Sequence, residues 1–196
     1  MQLVLASSSR YRRELLERLG IPFTTRSPNI DESALSGESA PALVARLARL
    51  KAEAVARAIS DAVVIGSDQV ALANGSILNK PGTVDAAVAQ LSAMAGSTVT
   101  FYTGLCVVNA RTGAAHTAVE TVDVTLRRLT RSEIVDYVAR EAPLDSAGSF
   151  KSEGLGIALF EHVRGDDPTT LIGLPLIRVV EFLALEGIAV LGRGSG

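Results

Sequence analysis

Residues 2–6 are a short apolar run that passes through Ser7, Ser8 and Ser9 straight into RYRRELLERLG, a helix pattern stopped by Gly20. A buried strand that enters a helix through so short a turn points to a fold in which helices cover a sheet. The pattern recurs. A segment led by Ser39 places Leu43, Val44, Leu47, Leu50 and Val55 at mostly three- and four-residue spacing, which predicts an amphipathic helix to about Ile59 that contains Lys51. Residues 62–66 are a second buried-strand pattern, ending in Ser67, Asp68 and Gln69.

Asn74-Gly75 then signals a two-residue hairpin turn, closed by Lys80-Pro81, and Thr83 is placed to cap a helix to about Ala95. Thr98–Asn109 and Ala115–Leu126 read as long strands joined around Arg111-Thr112-Gly113, an antiparallel pair. Thr130 and Glu133 match a capping box opening a helix to about Arg140, which Pro143 ends. Residues 147–156 are rich in Gly and Ser and carry Lys151 and Glu153. A strand through Leu159 is expected next, then a polar loop with Asp166-Asp167-Pro168, and Pro175 starts a last helix to about Glu186. Helix-linked strands beside long adjacent ones predict an α/β protein with a mixed sheet. With no repeat and no linker, a single domain over residues 1–191 and a flexible tail, 192–196, are expected.

Composition removes several function classes. A chain of 196 residues with 47% apolar and 20% charged residues, 17 Gly and 7 Pro is globular rather than disordered or collagen-like. At this size it buries ~70% of the surface its unfolded form exposes. Its 19 Lys and Arg against 21 Asp and Glu give a net charge of −2, so no overall basic field holds nucleic acid, and any nucleotide must be bound locally. One Cys and two His, His116 and His162, make neither an intrachain disulfide nor a structural zinc cluster. The basic residues of MQLVLASSSRYRR follow the apolar run, the reverse of a secretory signal, and the apolar stretch 171–191 carries Arg178, Glu181 and Glu186. A cytoplasmic protein with no membrane partner is expected.

The common phosphate-loop, dinucleotide, nucleophile-elbow and zinc-protease motifs are absent from the sequence, and neither histidine sits in a catalytic motif. Cys106, between Leu105 and Val107, reads as a small buried hydrophobe. Three groups instead combine hydroxyls or carboxylates with cations: Ser7 with Arg12 and Arg13, Asp68 near Lys80, and Lys151 with Glu153. A serine turn at a helix N-terminus offers N–H groups, hydroxyls and a favourable dipole to phosphate, and Arg12 adds a bidentate donor. The same serines read as a plain helix cap and the arginines as a solvated face, which composition alone favours. Asp31, Glu32 and Asp68 suit a hard cation such as Mg²⁺. Asp68 at a strand end is placed for metal or base work, or simply bonds its own turn.

LASSSRYRRELLERLG, the pair Asp31-Glu32, VVIGSDQV, NKPGTVDAAVAQLSAMAG followed by TFYTGL, then AGSFKSEGLGI and LIGLPL together resemble the Maf family of nucleoside triphosphate pyrophosphatases over nearly the whole chain. The closer similarity is to the branch acting on 7-methylguanosine triphosphate. This chain reads SDQ, FYTG and SFKSEG where the branch acting on dTTP and UTP typically reads ADT, VxTG and a segment ending in QG.

The resemblance implies an elongated mixed sheet flanked by helices, with two lobes around a central cleft, and hydrolysis between the α and β phosphates with a divalent cation, Mg²⁺ or Mn²⁺. It places Asp68 on the family's proton acceptor, and Ser7, Arg12, Glu32, Lys51, Lys80 and Lys151 on its phosphate and metal positions, with Glu32 and Asp68 toward the metal. Tyr11, Gln69 and Glu153 fall where the branches differ. A positively charged methylated guanine suits stacking on Tyr11 and hydrogen bonding to Glu153. Taken singly, Tyr11 also reads as an aromatic on a surface helix and Glu153 as a solvated loop charge. Arg10 departs from the proline often found in the family. A homodimer is also implied. The rival readings are a dTTP and UTP pyrophosphatase of the same family and a nucleotide-binding regulator of cell division.

Overall fold

The computed structural model describes residues 1–192, so the tail expected from residue 192 falls, past Gly192 itself, outside the described residues. The chain divides into two compact units, the first made of Met1–Gln69, Thr103–Glu120 and the segment from Asp167 onward, the second of Val70–Tyr102 and Thr121–Asp166.

In the first unit, β1 (Gln2–Leu5) leads to α1 (Arg10–Glu17), then to a two-residue β2 (Thr24–Thr25) and a long α2 (Ala40–Ala56). Ser9 caps α1 by accepting from the Arg12 N–H at 3.4 Å, and Ser39 caps α2 by accepting from the Ala42 N–H at 3.4 Å. β1 pairs in parallel with β2 and with β3 (Ala62–Ala73), Leu3 opposite Val63 and Leu5 opposite Ile65. The first unit also holds the later part of β5 (Thr98–Asn109), the start of β6 (Ala115–Leu126) and the last helix α5 (Leu176–Leu185).

Strand alternation sorts the side chains into two cores. Leu3, Leu5, Val63, Ile65, Leu105 and Val107 pack with Leu15 and Leu16 of α1 and Val179, Phe182 and Leu183 of α5. Val4, Ala6, Val64, Cys106 and Val108 pack with Ala48, Ala52 and Val55 of α2. Each buried Leu or Val side chain contributes roughly 1.5–3 kcal/mol of transfer free energy. Two glycines let α2 sit close on the sheet: a Cβ on Gly66 of β3 would lie 2.2 Å from the Ala48 carbonyl oxygen, and one on Gly104 of β5 would lie 2.1 Å from that of Val44.

The second unit contains β4 (Ser76–Leu78), α3 (Val84–Met94), α4 (Arg131–Glu141) and β7 (Phe160–Arg164). The β3–β4 turn is the expected hairpin, with Asn74 at φ 51° and Gly75 at φ 77°, as a two-residue turn of this hand requires. Thr83 and Thr130 cap α3 and α4, the latter with the complete capping box to Glu133. α3 packs on α4, and Phe150 meets Phe101 and Phe160 with ring centroids 5.4 and 4.8 Å away. Thr98 meets Thr125 at 3.0 Å and Thr100 donates to Asp123 at 2.7 Å, which sets β5 and β6 antiparallel. The full strand order is β2-β1-β3-β5-β6-β7 with β4 on β3, the expected mixed sheet. No helix among the described residues is long and apolar enough to cross a membrane.

Two boundaries differ from the sequence expectation. β3 does not end at Gly66 but runs on to Ala73, because Ala71, Leu72 and Ala73 pair with Leu78, Ile77 and Ser76. Asp68 therefore lies inside a strand, not in a loop at its end. The strand expected through Leu159 begins only at Phe160; residues 155–159 are a 3₁₀ turn, wound because the Lys151 carbonyl accepts from both Gly154 and Gly156.

Candidate active site

The path of β3 through Asp68 fixes what each neighbouring residue can reach, because successive side chains leave a strand on opposite faces. Gly66 and Asp68 share the face covered by α2. Since Gly66 lets the helix backbone approach, Lys51 of α2 comes down onto Asp68, its Nζ 2.6 Å from Asp68 Oδ1. Both residues are buried, at 5% and 7% exposure. Glu32, from the segment before α2, reaches the same ammonium, with Oε2 3.0 Å from Nζ, while remaining largely exposed itself. Removing an ammonium and a carboxylate from water costs several kcal/mol per ion, which their mutual attraction and hydrogen bonding must offset. A buried charged pair is weak evidence for stability and better evidence for chemistry.

Arg12 completes this group electrostatically. Burial lowers the pKa of its guanidinium, and the Asp68 and Glu32 carboxylates act to raise it. Its Nε donates to the Gly173 carbonyl at 2.9 Å. Arg13, grouped with it in the sequence, instead faces solvent and pairs with Glu17 at 3.4 Å. Ser7 is buried and accepts from the Ser9 N–H at 3.1 Å, so the first serine shapes the turn and the third caps the helix. Tyr11 is half-buried, with the Arg10 guanidinium 5.1 Å from its ring centroid. The residue at the departure from the family pattern thus already places a cation over this ring.

The other face of β3 carries Ser67 and Gln69, which tie down the segment 169–174. Ser67 Oγ donates to the Gly173 carbonyl at 2.9 Å. Gln69 Nε2 donates to Thr103 Oγ1 and to the Thr170 carbonyl, both at 2.8 Å. Asp167, buried, accepts from the Thr169 N–H and, with its other oxygen, from the Ile177 N–H in the first turn of α5, each at 2.7 Å. The Thr170 hydroxyl is the buried side-chain group without a hydrogen-bond partner among the described residues. Sequence reasoning missed Ser67, Thr103 and Asp167. Asp167 had a local signal, since Asp two residues before Thr169 is an Asx-turn pattern; the other two become legible only once β3 and β5 are known to pass through the site.

In the second unit, Lys80 is exposed in the segment between β4 and α3. Lys151 is half-buried and pairs with Asp145 at 3.5 Å rather than with Glu153. Its N–H donates to Tyr137 Oη at 3.1 Å, and the Leu155 N–H donates to Glu141 Oε2 at 2.8 Å, so both ends of the segment 151–155 are held by α4. A Cβ on Gly154 would sit 2.8 Å from both Glu141 carboxylate oxygens, so a larger residue there would displace the end of that side chain. Burial raises the Tyr137 phenol above its usual pKa. Glu153, between the two anchors, is exposed and accepts from Ser152 Oγ at 3.3 Å.

No group of three or more His, Cys, Asp or Glu residues converges among the described residues. Glu32 and Asp68 nonetheless direct carboxylate oxygens at one shared cation, the Lys51 ammonium. One or two carboxylates are what a Mg²⁺ site that takes its other ligands from phosphate and water requires, so the donor set fits a hard divalent ion. Asp31 does not join them, because its Oδ1 accepts from the Ser33 N–H and hydroxyl at 2.9 and 2.7 Å. His116 is bound to Glu186 at 2.7 Å, and Cys106 is buried, with burial raising its thiol pKa.

The architecture is that of a known α/β class: the structure of the Staphylococcus aureus Ham1 protein matches 95% of this chain and 100% of its own at a TM-score of 0.53 and 15% identity. The family model described as Maf-like protein matches residues 2–186. Proteins named 7-methyl-GTP pyrophosphatase are similar over nearly their whole length. The one from Nitrosococcus oceani is 55% identical over 96% of this chain and 95% of its own, and the one from Vibrio vulnificus 52% identical over 97% and 98%. The chain belongs to the Maf family.

Proposed function

We propose that the protein is a cytoplasmic nucleoside triphosphate pyrophosphatase that hydrolyses 7-methyl-GTP to 7-methyl-GMP and pyrophosphate, removing a modified nucleotide. The observation that carries this reading is the buried Lys51–Asp68 pair with Glu32 on the same ammonium. The names of relatives more than 50% identical over nearly the full chain support the substrate.

Asp68 acts as the base. Its Oδ1 is held by Lys51, and Oδ2 has no hydrogen bond among the described residues, so it accepts the proton of a water attacking the α-phosphorus. A bond forms from the water oxygen to that phosphorus, the bond from it to the α–β bridging oxygen breaks, and pyrophosphate leaves with the electron pair. Lys51 and Arg12 offset charge moving toward the leaving group, the main protein contribution in phosphoryl transfer. Ser7 and the first turn of α1 present a hydroxyl and N–H groups to phosphate. Lys80 and Lys151 are assigned by family resemblance to phosphate charge, and Glu153 and Tyr11 to the methylated base. Gln69, whose amide N–H groups hold the segment 169–174, acts on specificity through that segment and has only its Oε1 left for a base. Glu32 and Asp68 would hold a Mg²⁺ or Mn²⁺ ion, which when bound neutralises phosphate charge and polarises the reacting phosphoryl group.

The test is pyrophosphate release with Mg²⁺ or Mn²⁺ from 7-methyl-GTP, GTP, dTTP, UTP, CTP and ITP. Highest kcat/KM for 7-methyl-GTP is expected. Preference for dTTP and UTP would keep the reaction and overturn the substrate, and no turnover of any triphosphate would leave a nucleotide-binding regulator as the better reading.

A further inference from the structure

Glu32 lies in a stretch, residues 26–39, that has neither helix nor strand. Its carboxylate is more than half exposed, yet it meets Lys51 at 3.0 Å. A segment of this length needs external ties to hold one side chain in place, because every unfixed residue costs conformational entropy on ordering. Besides the Arg26 N–H, which donates to the Leu5 carbonyl at 2.9 Å, and Lys51 itself, the stretch is tied by one arginine on α2. Arg46 grips Glu38 with two parallel bonds, Nε to Oε1 and Nη2 to Oε2, both 2.7 Å. The same Nη2 donates to the Ser33 carbonyl at 3.0 Å, one residue beyond Glu32. Ser33 is tied back to Asp31, and Glu38 also accepts from the Leu35 N–H at 3.0 Å. The segment around Glu32 is thereby bracketed from Asp31 to Glu38, and the bracket hangs on the helix that carries Lys51.

We propose that Arg46, acting through Glu38 and the Ser33 carbonyl, is the positioning residue that holds Glu32 for its divalent ion and so sets metal affinity. The proposal rests on the reading of Glu32 and Asp68 as the residues that hold that ion. The forked geometry makes lysine a poor replacement, since an ammonium supplies one point charge where Arg46 supplies two bonds to Glu38 and one to Ser33. The Arg46 hydrogen bond lowers the Glu38 pKa to about 2, so this carboxylate is charged at neutral pH.

The experiment titrates Mn²⁺ alone into the full chain, read by water-proton relaxation, for wild type, Arg46→Gln, Arg46→Lys, Glu38→Gln and Glu32→Gln, with melting curves run on each. Residues that orient a metal ligand typically account for about 10- to 100-fold in affinity. The expected result is a loss in that range for Arg46→Gln, a smaller one for Arg46→Lys and Glu38→Gln, and one at least as large as Arg46→Gln for Glu32→Gln. In turnover of the Arg46 and Glu38 variants, the Mn²⁺ concentration for half-maximal rate should rise by the same factor while kcat at saturating metal stays near wild type. Folded Arg46→Gln or Arg46→Lys with unchanged Mn²⁺ affinity, beside a weakened Glu32→Gln, would overturn the role of Arg46 alone. Unchanged affinity in Glu32→Gln would overturn the metal reading and this proposal with it.

Discussion

The Lys51 ammonium sits 2.6 Å from an Asp68 carboxylate oxygen, and neither side chain is more than a tenth exposed. Because both are buried, removing either one has different consequences for stability and for turnover. Lys51→Met leaves a buried carboxylate without its main cation and should cost about 3–5 kcal/mol. Asp68→Asn keeps a hydrogen-bond acceptor for Lys51, and Glu32 still pairs with the ammonium, so the fold should survive while turnover falls by about 10²- to 10⁴-fold. Urea unfolding and pyrophosphate release on the same preparations separate the two effects. A folded Asp68→Asn with near-normal turnover would remove the base.

Gly66 and Gly104 predict a packing effect with a functional echo. Placing Cβ atoms 2.2 and 2.1 Å from the backbone oxygens of Ala48 and Val44 must push α2 off the sheet. Gly66→Ala and Gly104→Ala should each destabilise by at least ~1–3 kcal/mol, the usual cost of overpacking. Gly66→Ala should also lower turnover in the fraction that stays folded, because Lys51 rides on the displaced helix. Thermal unfolding with an activity assay at low temperature checks both.

Most of the fold was legible because its signals are local. The caps at Ser9, Ser39, Thr83 and Thr130 and the Asn74-Gly75 turn each lie within a few residues of what they organise. The course of β3 was not, since Ser67-Asp68-Gln69 has the composition of a loop yet lies in a strand that pairs with β5 and, beyond these residues, with β4. That one difference hid the division of labour on the strand, with Asp68 toward α2 and Ser67 and Gln69 toward the segment 169–174. Glu32 and Asp68 were paired in the sequence as carboxylates suited to a hard cation, but Lys51 joined them by family resemblance alone, as nothing in their spacing brings a loop, a helix and a strand together. The Arg46–Glu38 bracket and the Glu141 anchor left no trace in the sequence because they are tertiary pairings between ordinary charged residues.

The Glu141 anchor can be tested by itself. Its carboxylate accepts the Leu155 N–H at 2.8 Å, and a hydrogen bond to a charged group contributes about 1.5–3 kcal/mol. Hydrogen exchange at Leu155 should speed up by about 10- to 150-fold in Glu141→Ala, the equivalent of that range. Glu141→Gln, which keeps an acceptor, should show a smaller change. Equal exchange in wild type and Glu141→Ala would mean that the segment 151–155 is held by Tyr137 and its own turn.

Acid should dissolve the Glu38 contribution. The hydrogen bond from Arg46, followed by that from the Leu35 N–H, lowers the Glu38 pKa from 4.5 to about 2. A group whose folded pKa is depressed stabilises fully above its unfolded value and loses that stability as pH falls through the folded one. The melting-temperature difference between wild type and Glu38→Gln should therefore be constant from neutral pH down to about 5 and shrink toward about pH 2. A difference independent of pH would show that the carboxylate charge contributes nothing.

In the proposed reaction, Asp68 drives water onto the α-phosphorus of 7-methyl-GTP. Turnover in water enriched in heavy oxygen, with mass spectrometry of both products, tests it directly. The label should enter 7-methyl-GMP and not pyrophosphate. Label in pyrophosphate or in free phosphate, or no turnover of 7-methyl-GTP at all, would contradict it.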